Sequence, residues 1–233
     1  NDEEFEEYIK NKGFTMCQSS LSKDGFILID KNILNLKKKI EKIGIPLKDW
    51  DIKIYRGVLT GFNDAFIIDG KTKDELIKKD PKNKEIIKPL LRGRDIKRYG
   101  YEFADLWLIN THNGLKNKNI PPVNVPKDYP VIYEWLKQFE EKLKKRSDKG
   151  DNWWNLRNCA YLEEFEKEKI VWNPVSGEYV FAYIESEMYF NNSLFMITGD
   201  NLKYLLTLLN SKVYKWIMTT FTNLSKIGNY AYG

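Results

Sequence analysis

The residues best suited to chemistry lie together in one arginine-rich segment. Four cationic side chains fall within seven residues: Arg92, Arg94, Lys97 and Arg98. An arginine guanidinium can make two parallel hydrogen bonds to a phosphate or to the O6 and N7 atoms of guanine. The chain contains only six arginines, and three of them are here, next to Gly93. The segment therefore favours a binding function over a structural one, and Asp95 could hold one arginine in place.

A glycine-bearing turn at residues 57–64 is the second candidate. Its glycines allow a tight turn or a close approach of the backbone to another molecule. The side chains of Thr60 and Asn63 could brace this turn, or they could contact a phosphate or a base edge. A structural hairpin is the favoured interpretation of the turn taken alone. Arg56 lies directly before the turn and is a further candidate contact.

Two adjacent tryptophans form the third candidate. Trp153 and Trp154 are followed by Asn155 and Arg157. Indole rings and a guanidinium group could stack on nucleic acid and hydrogen-bond to it. Tryptophans are more often anchors of a core, and core packing is the favoured interpretation of the pair. Arg157 remains a candidate contact.

The distribution of charge is compatible with a polyanionic partner. The net charge is +5, but residues 71–98 alone carry eleven basic and five acidic side chains, a net charge of +6. Residues 137–149 add six basic and three acidic side chains, a net charge of +3. Local basic surfaces of this kind suit a nucleic acid. On charge alone, the favoured interpretation is a set of solvated helix faces in a lysine-rich chain.

Several kinds of enzyme are excluded by what the sequence lacks. There is no glycine-rich phosphate loop, and His112 is the single histidine, which argues against histidine metal sites and histidine-based triads. We assign no catalytic residue and no metal ligand. The only cysteines, Cys17 and Cys159, predict no disulfide framework and a reducing, cytoplasmic location. No stretch is apolar enough for a membrane span, so no membrane partner is expected.

The hydrophobic pattern predicts an α+β fold in which helices are interleaved with two groups of strands. Strands are predicted at 14–20, 50–56, 65–69, 106–109, 169–173, 179–184 and 189–198. Helices are predicted at 3–12, 31–43, 72–79, 82–90, 201–209 and 211–220, and another is expected to be capped by Asp128, with Pro130 in its first turn. These elements must position the three candidate segments.

The chain reads as a fragment of a longer polypeptide, because it starts at Asn1 rather than at a methionine and ends abruptly at Gly233. We expect a helix-and-strand lead-in at 1–45, a core at 46–200 and carboxy-terminal helices at 201–233 that pack on the core. These three parts would form one continuous domain.

Five segments, in order along the chain, resemble the TaqI-like specificity domains of bacterial restriction–modification enzymes. Residues 57–66 (GVLTGFNDAF) resemble the family signature Gly-x-x-Thr-Gly-x-Asn-x-x-Phe. Residues 88–96 (KPLLRGRDI) resemble its Lys-Pro-x-Leu-Arg-Gly-x-Asp-Ile block. The remaining three are similar to its tryptophan-rich block, the strand that follows and its last Leu-Asn-Ser helix: 153–157 (WWNLR), 169–172 (KIVW) and 208–212 (LLNSK).

This resemblance implies a target-recognition fold with mixed, curved β-sheets, and it implies double-stranded DNA as the partner. The parent would be a type II, IIG-like restriction–modification enzyme or an adenine-N6 DNA methyltransferase. An endonuclease domain could be part of the same chain. Its methyltransferase domain, in the same chain, would hold S-adenosylmethionine and flip the adenine. No cofactor is expected in the present fragment, which would supply sequence readout. The candidate DNA contacts are Arg56, Thr60, Asn63, Arg92, Arg94, Lys97, Arg98 and Arg157.

Two further interpretations stay open. The chain could be a protein–protein docking module of a restriction–modification or phage-defence complex, in which the lysine-rich faces only solvate the surface. A free-standing enzyme is the least favoured alternative. Within the arginine-rich segment, Arg94 and Arg98 are the preferred contacts, and Arg92 is the one most suited to a structural role.

Overall fold

The computed structural model describes residues 2–13, 15, 18, 30–147, 149–175, 178–221, 223–225 and 230–232. Contacts between Cα atoms divide the chain into two units, Asn1–Asp51 and Ile52–Gly233. The first unit contains α1 (Asp2–Lys12), α2 (Lys31–Ile43) and a 3₁₀ turn at Leu47–Asp49. The Asp30 carboxylate accepts a hydrogen bond from the Asn32 amide at 2.7 Å and caps α2, as the sequence predicts. The strand predicted at 14–20 falls outside the described residues except for 15 and 18, and Cys17 also lies outside them.

The second unit carries the candidate segments and is built from short strands and helices. Its strands are β1 (Ile52–Arg56), β2 (Ile67–Asp69), β3 (Ile87–Leu91), β4 (Leu106–Ile109), β5 (Lys169–Trp172), β6 (Phe181–Ile184), β7 (Tyr189–Phe190), β8 (Phe195–Gly199), β9 (Asn223–Ser225) and β10 (Tyr230–Tyr232). Its helices are α3 (Asn63–Phe66), α4 (Gly70–Lys79), α5 (Val125–Asp128), α6 (Pro130–Lys137), α7 (Glu140–Lys145), α8 (Leu202–Leu209) and α9 (Lys212–Phe221).

The strands form two four-stranded sheets, and β9 pairs with β10. One sheet has the order β1-β8-β5-β6 and is antiparallel throughout. The other has the order β2-β4-β3-β7 and is mixed, because β3 is antiparallel to β4 and parallel to β7. With α3 and α4 after β1 and α5–α7 after β4, the helices are interleaved with the strands. The predicted α+β fold is confirmed.

The core of this unit is formed by strand residues and by the inward faces of the helices. Leu90 and Leu91 of β3 are fully buried, and so are Ile132 and Leu136 of α6. Fully burying a side chain of this size stabilises the fold by about 1.5–3 kcal/mol. Among the described residues, no helix is long and apolar enough to cross a membrane.

The prediction of a helix at 82–90 is wrong. A 3₁₀ turn at Pro81–Glu85 leads into strand β3, which pairs with β4 through Ile87↔Ile109 and with β7 through Leu90↔Tyr189. Pro89 lacks the amide proton that a helix interior would need. The apolar run at the end of the segment is buried on both sides in the sheet, and this tertiary packing outweighs the helical propensity of its lysines.

Three other elements differ from the prediction in detail. In the strand predicted at 65–69, residues 65 and 66 belong to helix α3 and only Ile67–Asp69 form β2. The strand predicted at 189–198 is divided into β7 and β8 by a turn, in which the Asn191 side chain accepts hydrogen bonds from the Ser193 amide at 3.2 Å and hydroxyl at 2.5 Å. The helix expected to be capped by Asp128 starts at Pro130, directly after α5, with Tyr129 at its cap position. Proline is tolerated there because its missing amide proton would have no partner within the helix.

A buried lysine carries an energetic cost in the first sheet. The Lys169 side chain on β5 is fully buried, and its Nζ donates a hydrogen bond to the Ser186 carbonyl at 2.9 Å. Burial lowers the pKa of Lys169 to about 8, although the nearby Glu187 acts in the opposite direction. Because the folded state holds this proton less tightly than the unfolded chain, the cost is complete below pH 8 and disappears as the pH rises towards 10.5.

We expect the Lys169→Met variant to reveal this cost as a difference in pH dependence. Between pH 7 and pH 10, the free energy of unfolding of the wild type should rise relative to the variant by up to about 3 kcal/mol. Urea denaturation of both proteins at each pH measures the difference, and the other titrating groups cancel because both proteins share them. A difference that stays constant over this range would contradict the assignment.

Candidate nucleic-acid interface

The arginine-rich segment is a rigid turn at the end of β3. Arg92 clamps the 3₁₀ turn Gly93–Asp95, because its Nε and Nη2 donate to the two Asp95 carboxylate oxygens at 3.1 and 3.0 Å. The Arg92 amide also donates to Asp95 at 2.8 Å, and the Asp95 amide donates back to the Arg92 carbonyl at 3.0 Å. Asp95 is buried. The guanidinium of Arg92 thus supports the turn, as the sequence suggested for this residue.

Gly93, at the start of this turn, lies close to a neighbouring side chain. A Cβ atom at Gly93 would lie 2.5 Å from Nδ2 of Asn173, the residue that follows β5. The Asn173 side chain is itself held in place, since its Oδ1 accepts from the Val175 amide at 3.0 Å. Glycine therefore allows the turn to pack directly against the end of a neighbouring strand.

The segment after the turn is tied to strand β6 and to the end of α8. The Tyr99 amide donates to the Phe181 carbonyl at 2.8 Å, and the Tyr183 amide donates to the Tyr99 carbonyl at 3.2 Å. Arg98 reaches the end of α8, where its Nη2 donates to the Asn210 carbonyl at 2.8 Å. The guanidinium of Arg98 also lies 5.0 Å from the centre of the Tyr99 ring. Arg98 is therefore partly occupied by contacts within the chain.

Asn210 joins the two terminal helices to the same strand. Its side chain is buried and accepts from the Phe181 amide at 3.1 Å while donating to the Phe181 carbonyl at 2.9 Å. The next residue, Ser211, accepts from the Tyr214 amide at 3.0 Å and so caps α9. Burial raises the pKa of Tyr214 to about 12, so its ring stays neutral where it packs edge-on against Phe181.

These contacts enclose a cleft of about 660 Å³ between the arginine-rich turn and the junction of α8 and α9. Five cationic side chains line it, against one acidic side chain, Glu178. The cations are Arg94, Lys97, Arg98, Lys212 and Lys215. All of this lining belongs to the second unit. We refer to this site as the basic cleft.

The basic cleft brings together only part of the predicted site. Arg94 and Lys97 line it and are exposed, and Lys97 also pairs with Glu102 at 3.4 Å. Arg98 also lines the cleft, and it contacts the Asn210 carbonyl and the Tyr99 ring as described above. Five predicted contacts do not line the cleft: Arg56, Thr60, Asn63, Arg92 and Arg157. Contact of these five with DNA remains a prediction.

The glycine-bearing turn is braced from within. Thr60 is buried, and its hydroxyl donates to the Asn63 side chain at 2.6 Å. A Cβ atom at Gly57 would lie 2.0 Å from the Asn191 carbonyl oxygen, so the backbone runs tightly against the end of β7. Arg56 donates from Nε to the Asn192 carbonyl at 3.2 Å. These contacts support the structural interpretation of the turn.

Arg146 is the main residue that sequence reasoning missed. It is buried, and its guanidinium lies 4.7 Å from the centre of the Phe66 ring. Its guanidinium donates hydrogen bonds to four backbone carbonyls and so joins α7, the glycine-bearing turn and the tryptophan block. The carbonyls are those of Leu143, Thr60, Trp153 and Asn155. In the sequence, Arg146 stands in a run of lysines typical of a solvated helix face. No local signal distinguishes it from them.

The tryptophan pair packs within the second unit. The ring centres of Trp153 and Trp154 lie 5.3 Å apart, and each lies 5.7 Å from the ring centre of Tyr133 on α6. The neighbouring Asn155 is fully buried and donates to the Thr111 carbonyl at 3.2 Å. The favoured interpretation, core packing, agrees with these contacts. Arg157 is exposed at the end of the block, and its amide donates to the Leu59 carbonyl at 3.4 Å.

Two cleft residues, Lys212 and Lys215, were also not selected from the sequence, although Lys212 ends the Leu-Asn-Ser block. Nothing in the sequence separates them from the other exposed lysines. Over the described part of the chain, no group of three or more histidine, cysteine, aspartate or glutamate side chains could hold a metal ion. The five cationic side chains that line the cleft are groups suited to binding an anion.

A rigid turn and a basic cleft on an α+β scaffold define a class of module that binds a polyanion. Comparison with known families agrees: residues 88–230 match the TaqI-like C-terminal specificity domain. The chain belongs to this family of specificity domains. The matched residues include four of the five segments that carried the resemblance, and the turn at 57–66 precedes them.

Solved structures of restriction–modification enzymes share the fold. The type IIL enzyme MmeI, solved in complex with DNA, has a TM-score of 0.56 at 12% identity and matches 81% of this chain. The type IIG endonuclease BpuSI has a TM-score of 0.51 at 15% identity and matches all of it. This chain covers only 24% and 28% of those two chains. No curated protein sequence matches significantly.

The role of Asn210 can be tested by substitution. We expect Asn210→Ala to lower the free energy of unfolding by about 2 kcal/mol, because the buried Phe181 amide loses its acceptor. Urea denaturation measures this loss. Asn192→Ala, at an exposed position, is the matched control and should change stability by less than about 0.5 kcal/mol. Equal stability of the two variants would show that the Asn210 side chain does not hold the cleft together.

Proposed function

We propose that this module binds double-stranded DNA through the basic cleft. The observation that carries the proposal is the convergence of five cationic side chains from two separate segments on one cavity. Three come from the arginine-rich segment and two from the first turn of α9. Release of counterions from phosphates makes such a surface favourable for a polyanion at moderate salt.

The structure divides the basic stretch at 71–98 into two parts. Its cleft residues follow β3, whereas the lysines of α4 and of the turn at Pro81–Glu85 precede that strand. Several of the latter are engaged locally: Lys73 lies 4.2 Å from the centre of the Trp107 ring, and Lys82 lies 5.0 Å from that of Tyr129. Lys88 pairs with Glu187 at 2.8 Å. We therefore assign phosphate binding to the cleft and not to the whole stretch.

We further propose that the parent protein carries a methyltransferase domain in the same chain and acts in the cytoplasm. That domain would hold S-adenosylmethionine and modify adenine at N6, and this module would need no cofactor. The family membership supports this division of labour, as does the small share of the two neighbouring enzymes that this fold covers. Cleavage of DNA by the parent would be a separate activity.

Methyl transfer from labelled S-adenosylmethionine to duplex DNA tests the division of labour. We expect incorporation at adenine with the full-length parent and none with this chain alone. The comparison uses equal molar amounts and the same DNA. Incorporation by the chain alone would contradict the proposal.

Removal of two cleft lysines tests the binding site itself. Each phosphate contact contributes about −0.9 to the slope of log K against log salt concentration. We expect the Lys212→Ala/Lys215→Ala double variant to bind random duplex DNA more weakly, with a slope shallower by up to about 1.8. Electrophoretic mobility shift at several salt concentrations measures the slope.

The matched control removes two exposed lysines that do not line the cleft. Lys78→Ala/Lys84→Ala changes the net charge by the same amount and should leave the slope closer to that of the wild type. Equal losses in both double variants would mean that total charge, and not the cleft, governs binding. A wild type without salt-dependent duplex binding would overturn the proposal and favour a protein-docking module.

A further inference from the structure

We propose that Arg94 is a specificity-determining residue that reads a guanine in the major groove. The inference rests on the proposed function, because it assigns one side chain of the basic cleft to base recognition. It separates this arginine from the other cations in the site. The argument uses the rigidity of its turn, the contacts of its neighbours and the geometry of guanidinium recognition.

Arg94 lies at the middle of the clamped turn. On either side of it, Gly93 packs against Asn173 and Asp95 is fixed by Arg92. A side chain presented from a backbone held on both sides loses less conformational freedom on binding than one on a mobile loop. The turn therefore holds the backbone of Arg94 in one position, which recognition of a base edge requires.

The other two arginines of the segment are engaged by the protein. Arg92 makes both of its fork contacts to Asp95, and Arg98 donates to the Asn210 carbonyl. Arg94 is exposed, lines the cleft and has no hydrogen-bond or ion-pair partner among the described residues. Of the three guanidinium groups in this segment, that of Arg94 is thus the one with no donor engaged by the described residues.

The chemistry of the two cleft walls differs. Lys212 and Lys215 on α9 are compact point charges, which suit the sugar–phosphate backbone. A planar guanidinium offers two parallel donors, and guanine presents the matching acceptor pair, O6 and N7, at its major-groove edge. We therefore assign the lysine wall to phosphate and Arg94 to the base.

Selection of bound sequences from a randomised duplex library tests this assignment. The proteins are the wild type, Arg94→Ala and Arg94→Lys, and lysine keeps the charge but lacks the fork. We expect the wild type to enrich a motif with guanine at one position. In both variants, discrimination at that position should fall by between about fivefold and a hundredfold. Arg94→Lys should otherwise keep the salt slope of the wild type.

Lys212→Ala is the control from the opposite wall. It should keep the motif and make the salt slope shallower by about 0.9. Retention of the guanine preference in Arg94→Ala would overturn the inference, because another side chain would then read that base. So would a wild type that binds DNA but enriches no motif. A wild type that binds no duplex DNA would instead overturn the proposed function itself.

Discussion

The backbone of a single residue, Phe181 at the start of β6, joins the two walls of the basic cleft. Its carbonyl accepts from the Tyr99 amide and from the Asn210 side chain, and its amide donates to Asn210. The arginine-rich segment is joined to Phe181 through Tyr99, and the junction of α8 and α9 is joined to it through Asn210. Arg98 closes the arrangement by binding the Asn210 carbonyl. Because both walls depend on one strand end, their separation is fixed by the sheet and not by flexible loops.

The six arginines of the chain show how one residue type serves both structure and binding. Arg146 is buried and joins three segments through backbone carbonyls, and Arg92 fixes the turn through Asp95. Arg94 lies on this framework with its side chain exposed. A guanidinium has five donors in a fixed geometry, so it can satisfy several carbonyls at once or match one ligand edge. Here Arg146 and Arg92 stabilise parts of the fold, and Arg94 lines the cleft from the turn that Arg92 fixes.

Local sequence signals predicted the elements whose pattern is complete within a few residues. The Asp30 cap and the apolar period of α2, and the short apolar strands β1 and β4, required no knowledge of distant residues. The segment 82–90 failed because its structure is decided by pairing with β4 and β7, which come from other parts of the chain. Helical propensity cannot report pairing with a strand such as β7, where Leu90 pairs with Tyr189.

The candidate site was predicted in the same partial way. The arginine-rich segment stood out because arginines are rare in this chain. The sequence suggested that Asp95 holds one of these arginines, and the structure shows that it is Arg92. The opposite wall did not stand out, because Lys212 and Lys215 resemble every other exposed lysine until α9 is placed beside the turn. Arg146 was hidden for the same reason, since only tertiary structure surrounds it with carbonyls. Family resemblance supplied the DNA partner, which charge alone left open.

Lysine footprinting with an acetylating reagent tests most directly whether the basic cleft is the DNA-binding surface. The reactivity of each lysine is measured by mass spectrometry in the presence and absence of a duplex at low salt. The account predicts that DNA protects Lys212 and Lys215, while Lys78 and Lys84, which do not line the cleft, keep their reactivity. Protection of Lys78 and Lys84 with full reactivity of the two α9 lysines would contradict it.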